Sequence, residues 1–144
     1  MLKHNLVVYC DGGARGNPGP AAVGVVIFNG EGNLRDKCGK YIGKTTNNVA
    51  EYEGVITAFG IILDLKDINP KKTDLTFNLD SSLVVNQLNG LYKIKKGHLR
   101  DLLFKIRHFE QNFPKVSYNL IPREKNTEAD FLVNQALDNY ERTS

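Results

Sequence analysis

Asn47-Asn48-Val49-Ala50-Glu51-Tyr52-Glu53-Gly54-Val55-Ile56-Thr57-Ala58-Phe59-Gly60-Ile61-Ile62-Leu63 is where the chain changes period. Val49, Tyr52, Val55, Ile56, Phe59, Ile62 and Leu63 recur at helical spacing over about five turns. This is the main packing helix, and Pro70 closes the region. Glu51 breaks the expected partition of its own helix. Counting on by i+4, i+7 and i+11 reaches Val55, Ala58 and Ile62, so this carboxylate lies on the apolar stripe and not on the wet face. The helix dipole accounts for a Glu in the first turn but not for that face. A charge placed there needs a partner.

Upstream of the helix the pattern belongs to strands. Residues 6–10 form a short run of strand formers ending at Asp11, and a Gly/Pro-rich stretch, 12–20, reads as a long turn. Residues 21–28 read as a buried strand, and the cluster 29–33 turns the chain into a third strand at 34–42, giving an antiparallel meander. Downstream, Leu75, Phe77 and Leu79 alternate with Thr76, Asn78 and Asp80, which predicts a strand with one apolar face. Ser81 opens a short helix at 82–88, closed by Asn89-Gly90. A link at 91–97 leads to a helix at 98–113, a last strand at 116–121 and a last helix at 127–140. The order βββαβααβα predicts an α/β fold, a mixed sheet flanked by helices.

With 144 residues, 41% of them hydrophobic, the chain reads as one globular domain spanning 1–144. The longest apolar run, 21–28, is far too short to cross a membrane, and the run at 6–10 meets Asp11 too soon for a secretory signal, so a cytosolic protein is expected. Nineteen Lys+Arg against sixteen Asp+Glu leave +3, which permits a polyanionic partner without requiring one. Cys10 and Cys38 form no CxxC pair and read as reduced strand residues.

Asp11 and Asp80 each close an apolar strand just before a turn or helix, at the edge of an α/β sheet where sites form. Either alone is an ordinary turn or cap residue. Asp130 repeats the logic of Glu51, with Val133 at i+3 and Leu137 at i+7. Four acids on four elements can thus converge at one edge, and without matching cations such a cluster needs a hard metal ion, Mg²⁺ or Mn²⁺, to neutralise it. Two such ions about 4 Å apart are the standard device for in-line displacement at phosphorus.

The stretches Asp11-Gly12-Gly13-Ala14-Arg15-Gly16-Asn17-Pro18-Gly19, Thr45-Thr46-Asn47-Asn48-Val49-Ala50-Glu51, Leu79-Asp80-Ser81 and Asn126-Thr127-Glu128-Ala129-Asp130 resemble, in order, the four active-site motifs of type 1 ribonuclease H. The resemblance spans the chain. It implies a ribonuclease H-like five-stranded mixed sheet, three antiparallel strands plus two parallel, with helices on both faces. It also implies endonucleolytic cleavage of the RNA strand of RNA–DNA hybrids by a monomer using two Mg²⁺ ions, with Mn²⁺ as a substitute, and leaves open whether double-stranded RNA is also cut. On matching positions Asp11, Glu51, Asp80 and Asp130 become the metal ligands, Asn17, Asn47 and Asn48 touch the minor groove, and Thr46 meets the DNA-strand phosphate. Amides suit base edges and 2′-hydroxyls. An Asn just before a helix is also expected to cap it. The topology further implies that Cys10 and Cys38 sit on strands separated by a third, and stay free.

The chain departs from the family's pattern in three places. The loop before the last helix holds Arg123 where many members have His, and an always-charged guanidinium can stabilise phosphate charge but cannot act as a general base. Arg123 is expected on the catalytic list in that role. Ser82 stands where a Gln is common, and the short link at 91–97 leaves no room for a basic protrusion, for which Lys93, Lys95, Lys96 and Arg100 form a reduced substitute or simply a solvated face. The competing readings are a nuclease-dead hybrid-binding module, which has no need of four acids, and a transposase or resolvase, which has no need of the Asn pair. A nucleotide-cradling loop at Gly12 to Gly19 lacks the GK[ST] signature.

Overall fold

In the computed structural model, residues 3–95 and 97–144 are described. Strands β1 (His4–Ala14), β2 (Gly19–Asn29) and β3 (Leu34–Thr45) form the meander, followed by α1 (Asn47–Asp64), β4 (Thr73–Leu79), α2 (Ser82–Leu88), α3 (Gly97–Glu110), β5 (Val116–Leu120) and α4 (Thr127–Thr143). The sheet order is β3-β2-β1-β4-β5, with β1–β2 and β2–β3 antiparallel and β1–β4 and β4–β5 parallel. The element order and the mixed sheet are as the pattern predicts. Short 3₁₀ turns at Pro70–Lys72 and Arg123–Lys125 are additional. No described helix is long and apolar enough to cross a membrane.

The long turn expected at 12–20 is shorter than its composition suggests. Gly12, Gly13 and Ala14 stay paired with Val23, Ala22 and Ala21, because glycine does not prevent ladder bonding where a neighbouring strand supplies it. Only 15–18 remain as the connection. At the other termini the helix expected at 98–113 ends at Glu110, while Phe113 still packs into the core, and the last helix runs on to Thr143.

One face of the sheet carries the main core. Leu6, Val8 and Cys10 of β1 and Leu75, Phe77 and Leu79 of β4 meet Tyr52, Val55, Phe59 and Ile62 of α1, with α2 and α3 closing the layer. The other face is covered by α4 through small clusters around Ala22, Val133 and Leu137, and around Val26, Ala129 and Leu132. Cys10 pairs with Val25, which pairs with Cys38, so β2 separates the two thiols and both are free.

Candidate active site

The register places the acids before any side-chain chemistry is considered. Parallel pairing of β1 with β4 runs to Tyr9↔Asn78, and two residues further along stand Asp11, still on β1, and Asp80, just past the end of β4. Beyond Tyr9, β1 continues only with β2, so the chains part and a gap opens at the carboxyl end of the parallel pair. Glu51 enters that gap from the first turns of α1. Its approach depends on Gly12, where a Cβ would run into the backbone of Ala50 and Glu51. Only glycine lets the helix lie this close to the strand.

One carboxylate oxygen from each of Asp11, Glu51 and Asp80 lies within 4.8 Å of the others. Asp11 and Glu51 are each 8% exposed, and Asp80 is half-buried. Burial, then the charge of Asp80, pushes Asp11 up to about 7. Burial, then Asp11 and Asp80, raises Glu51 well above the usual carboxylate range. The Gly12 N–H donates to Asp11 Oδ1 at 2.9 Å, whereas Glu51 Oε2 is buried with no partner. An orphaned buried oxygen beside two more acids fits a hard cation, which would supply the missing positive charge through oxygen ligands.

Asp130 differs from the expectation for its face. Val133 and Leu137 are buried as their spacing predicts, but Asp130 is exposed. It stands one turn earlier, where α4 borders a cavity of about 390 Å³ that Asp130 lines with Asp11, Glu51, Asp80 and Arg123. Three acids form the cluster and the fourth stands on its rim. Arg123 is likewise exposed, and no carboxylate pairs with it among the described residues.

The capping expectation at 47–48 is corrected: Thr46 is the N-cap of α1, its Oγ1 accepting from Val49 N–H at 3.3 Å. The asparagines are used elsewhere. Asn17 Oδ1 accepts from the Asn47 N–H at 3.0 Å, and Asn47 Oδ1 accepts from the Ala14 N–H at 2.9 Å. Asn48 lines the same cavity as the acids and also an adjoining groove with Gln87, Leu91, Tyr92, Lys93 and Lys95. Lys93, Lys95 and Arg100 are exposed, and Lys96 lies outside the described residues. Ser81 caps α2 as expected, Ser82 is exposed and accepts from Asn86 Nδ2, and His4, His98 and His108 are all exposed.

Two contributors were not singled out by sequence reasoning. Arg15 pins the turn 15–18 to α4, reaching Asp138 and Glu141 at 2.8 Å and Asn134 at 3.2 Å. The pairing is non-local, and the only sequence signal is a cation facing two acids spaced i, i+3 far down the chain. Asn126 donates from Nδ2 to the Cys10 carbonyl at 2.8 Å and to Asp80 Oδ2 at 3.0 Å. Its place at a helix start reads as a cap, which hides that contact.

Residues 9–136 match the reverse transcriptase-like family. The chain is 39% identical over 130 residues to ribonuclease HI of Halobacterium salinarum, covering 90% of this chain and 63% of that protein. It is 37% identical over 134 residues to the bifunctional protein Rv2228c of Mycobacterium tuberculosis, of which it spans 35%. Among solved structures, the crystal structure of the Halobacterium salinarum RNase H1 superposes with a TM-score of 0.87 at 38% identity, covering 94% of this chain and 98% of that one. LC11-RNase H1, isolated from compost and crystallised in complex with an RNA/DNA hybrid, gives 0.86 at 43%, covering 94% and 98%. Fold, motif order and these likenesses agree: the chain belongs to the reverse transcriptase-like family and, within it, to the type 1 ribonucleases H.

Proposed function

We propose that residues 1–144 act as one monomeric, cytosolic ribonuclease H domain, a divalent-metal-dependent endonuclease that hydrolyses the RNA strand of RNA–DNA hybrids. The observation that carries this reading is the set of three acids from β1, α1 and the end of β4, their oxygens within 4.8 Å and Glu51 Oε2 unpartnered. Asp11, Glu51 and Asp80 would hold the ions, two Mg²⁺ by preference and Mn²⁺ as a substitute, with Asp130 completing the set from the rim. When bound, the cations supply Lewis acidity for in-line displacement at phosphorus. The free thiols suit a reducing compartment.

The chain's own residues account for substrate choice. With their Oδ1 atoms committed to backbone N–H groups, the exposed Asn17 and Asn47 would have their Nδ2 donors to offer a substrate. Donors suit the acceptor-rich minor groove at every base pair, and the 2′-hydroxyl oxygen, without reading sequence. Thr46, its oxygen lone pair engaged by Val49, keeps a hydroxyl donor for the DNA-strand phosphate. Arg123 faces the same cavity and would stabilise charge as it develops on the phosphate. The hybrid in the LC11-RNase H1 complex supports the substrate class. The test is a cleavage panel of hybrid, double-stranded RNA and double-stranded DNA, each with Mg²⁺, Mn²⁺ and EDTA. Hybrid cleavage with either metal and none in EDTA is expected, and cleavage persisting in EDTA would defeat the metal-dependent reading.

A further inference from the structure

Asparagine is among the strongest N-cap residues, because its side-chain oxygen accepts from an N–H of the first helical turn. Thr46 and Ser81 cap α1 and α2 in this way, through bonds from Val49 and Val84. Asn126 occupies the same position on the 17-residue α4 and makes no capping bond. Its side chain turns inward instead. The residue is 1% exposed, its Nδ2 bridges the Cys10 carbonyl and Asp80 Oδ2, and its Oδ1 is buried without a partner. Its backbone carbonyl accepts from the Asp130 N–H at 3.2 Å. One side chain and one carbonyl therefore touch the residue preceding Asp11, the carboxylate of Asp80 and the backbone of Asp130.

We propose that Asn126 is the positioning residue of the carboxylate cluster: its amide hydrogens hold Asp80 against the end of β1, while its carbonyl sets the turn that carries Asp130. The inference rests on the metal-dependent reading above and deepens it. A carboxylate's terminal torsion is broad and roughly two-fold, so Asp80, beside two like charges and half open to solvent, has reason to swing outward. A neutral donor restrains it without cancelling its charge. Lysine or arginine here would form an ion pair and compete with the cation, and aspartate would repel. Serine and threonine would cap α4 but are too short to span both acceptors. The uncapped helix start and the orphaned Oδ1 are costs to the fold, which places the benefit of this asparagine at the site.

The test compares wild-type protein with Asn126→Ser and Asn126→Ala, using Mg²⁺ alone as the probe. Thermal unfolding is followed in EDTA and along a Mg²⁺ titration, and kcat and KM are measured on hybrid. Serine restores a cap, so Asn126→Ser is expected to melt in EDTA close to wild type. The Mg²⁺ concentration giving half the thermal shift should rise about tenfold or more in both variants, the usual effect of removing a group that orients a metal ligand. Under limiting Mg²⁺ kcat should fall in step while KM for hybrid stays unchanged, since the groove is untouched. If both variants lose only melting temperature in EDTA and titrate with Mg²⁺ as wild type does, Asn126 is structural and the proposal is wrong. A wild-type protein without any Mg²⁺-dependent shift would instead overturn the metal-dependent reading, and this inference with it.

Discussion

The two faces of the sheet bring acids to the same edge under different conditions. Beneath α1 the layer is thick and aromatic, with Phe59 packed 5.0 Å from Phe77 and 5.4 Å from Phe109. Beneath α4 it is thin: small clusters, and Gly24 and Gly39 so close that a Cβ on either would run into the α4 backbone. Glu51 arrives through the thick layer, buried and with its Oε2 unpartnered, whereas Asp130 arrives through the thin one and faces water. Burial and the two neighbouring acids raise Glu51 well above the usual carboxylate range, so its charged form is costly unless a proton or a cation offsets it. Exposure leaves Asp130 hydrated and adjustable, so equal charges on the two faces should not be equally costly to lose.

The largest effect is therefore expected on the α1 face. Glu51→Gln should lower kcat by about 10³-fold with hybrid binding retained, since it removes charge exactly where the ions would sit but keeps shape. In EDTA the same variant should melt higher, by ~3 °C for each kcal/mol of relieved repulsion. Asp11 gives the pH counterpart. Its ordinary value is 3.8 and the folded value about 7, so between those pH values the folded protein binds more protons than the unfolded one. Stability without metal should then fall as pH rises through that window, and Asp11→Asn should flatten the fall. Melting curves in EDTA from pH 4 to 8 decide this, and a flat wild-type profile would remove the strain assigned to the buried cluster.

Next comes the rim. If the Arg123 guanidinium meets the phosphate as charge develops, Arg123→Ala should lower kcat by about 10²-fold and Arg123→Lys should recover part of it, having the charge without the planar fork. A raised KM with kcat intact would instead make it a steering residue. Asp130→Asn, exposed and hydrated, should cost only about tenfold in kcat and leave the metal-free melting temperature unchanged. A loss equal to that of Glu51→Gln would break the contrast between the faces, because burial would then not set the size of the effect.

What the sequence discloses follows the same division. The face of Glu51 is readable from Val55, Ala58 and Ile62, because a stripe of that length averages over local exceptions. The face of Asp130 misleads, since the buried residues of α4 are Ala129, Leu132, Val133 and Leu137, and Asp130 beside them overhangs a cavity that no periodicity reports. The ladder at Gly12 to Ala14 is hidden because composition records glycine's freedom and not the strand beside it. Thr46 caps as its propensity allows, whereas Asn126, also a strong N-cap type, binds instead across 116 positions of sequence to Cys10. Local rules find the elements, and the contacts that join elements at the site lie beyond them.

The smallest expected effect concerns the groove that Asn48 shares with the cavity. Lys93 and Lys95 line it, exposed, and no carboxylate is paired with either among the described residues. If the groove carries a substrate strand, each lysine that meets a phosphate releases about one counterion on binding. Lys93→Ala should then raise KM only a few-fold at ~0.1 M salt, leave kcat alone and reduce the slope of log KM against log salt by about one. Lys37, exposed on the edge strand β3, is the control, since Lys37→Ala removes the same charge from outside the groove. Net charge acting at a distance would move both variants alike, whereas a phosphate contact moves Lys93→Ala alone. Equal slopes for the two variants would assign the groove to solvent and leave substrate binding to the asparagines and the carboxylate edge.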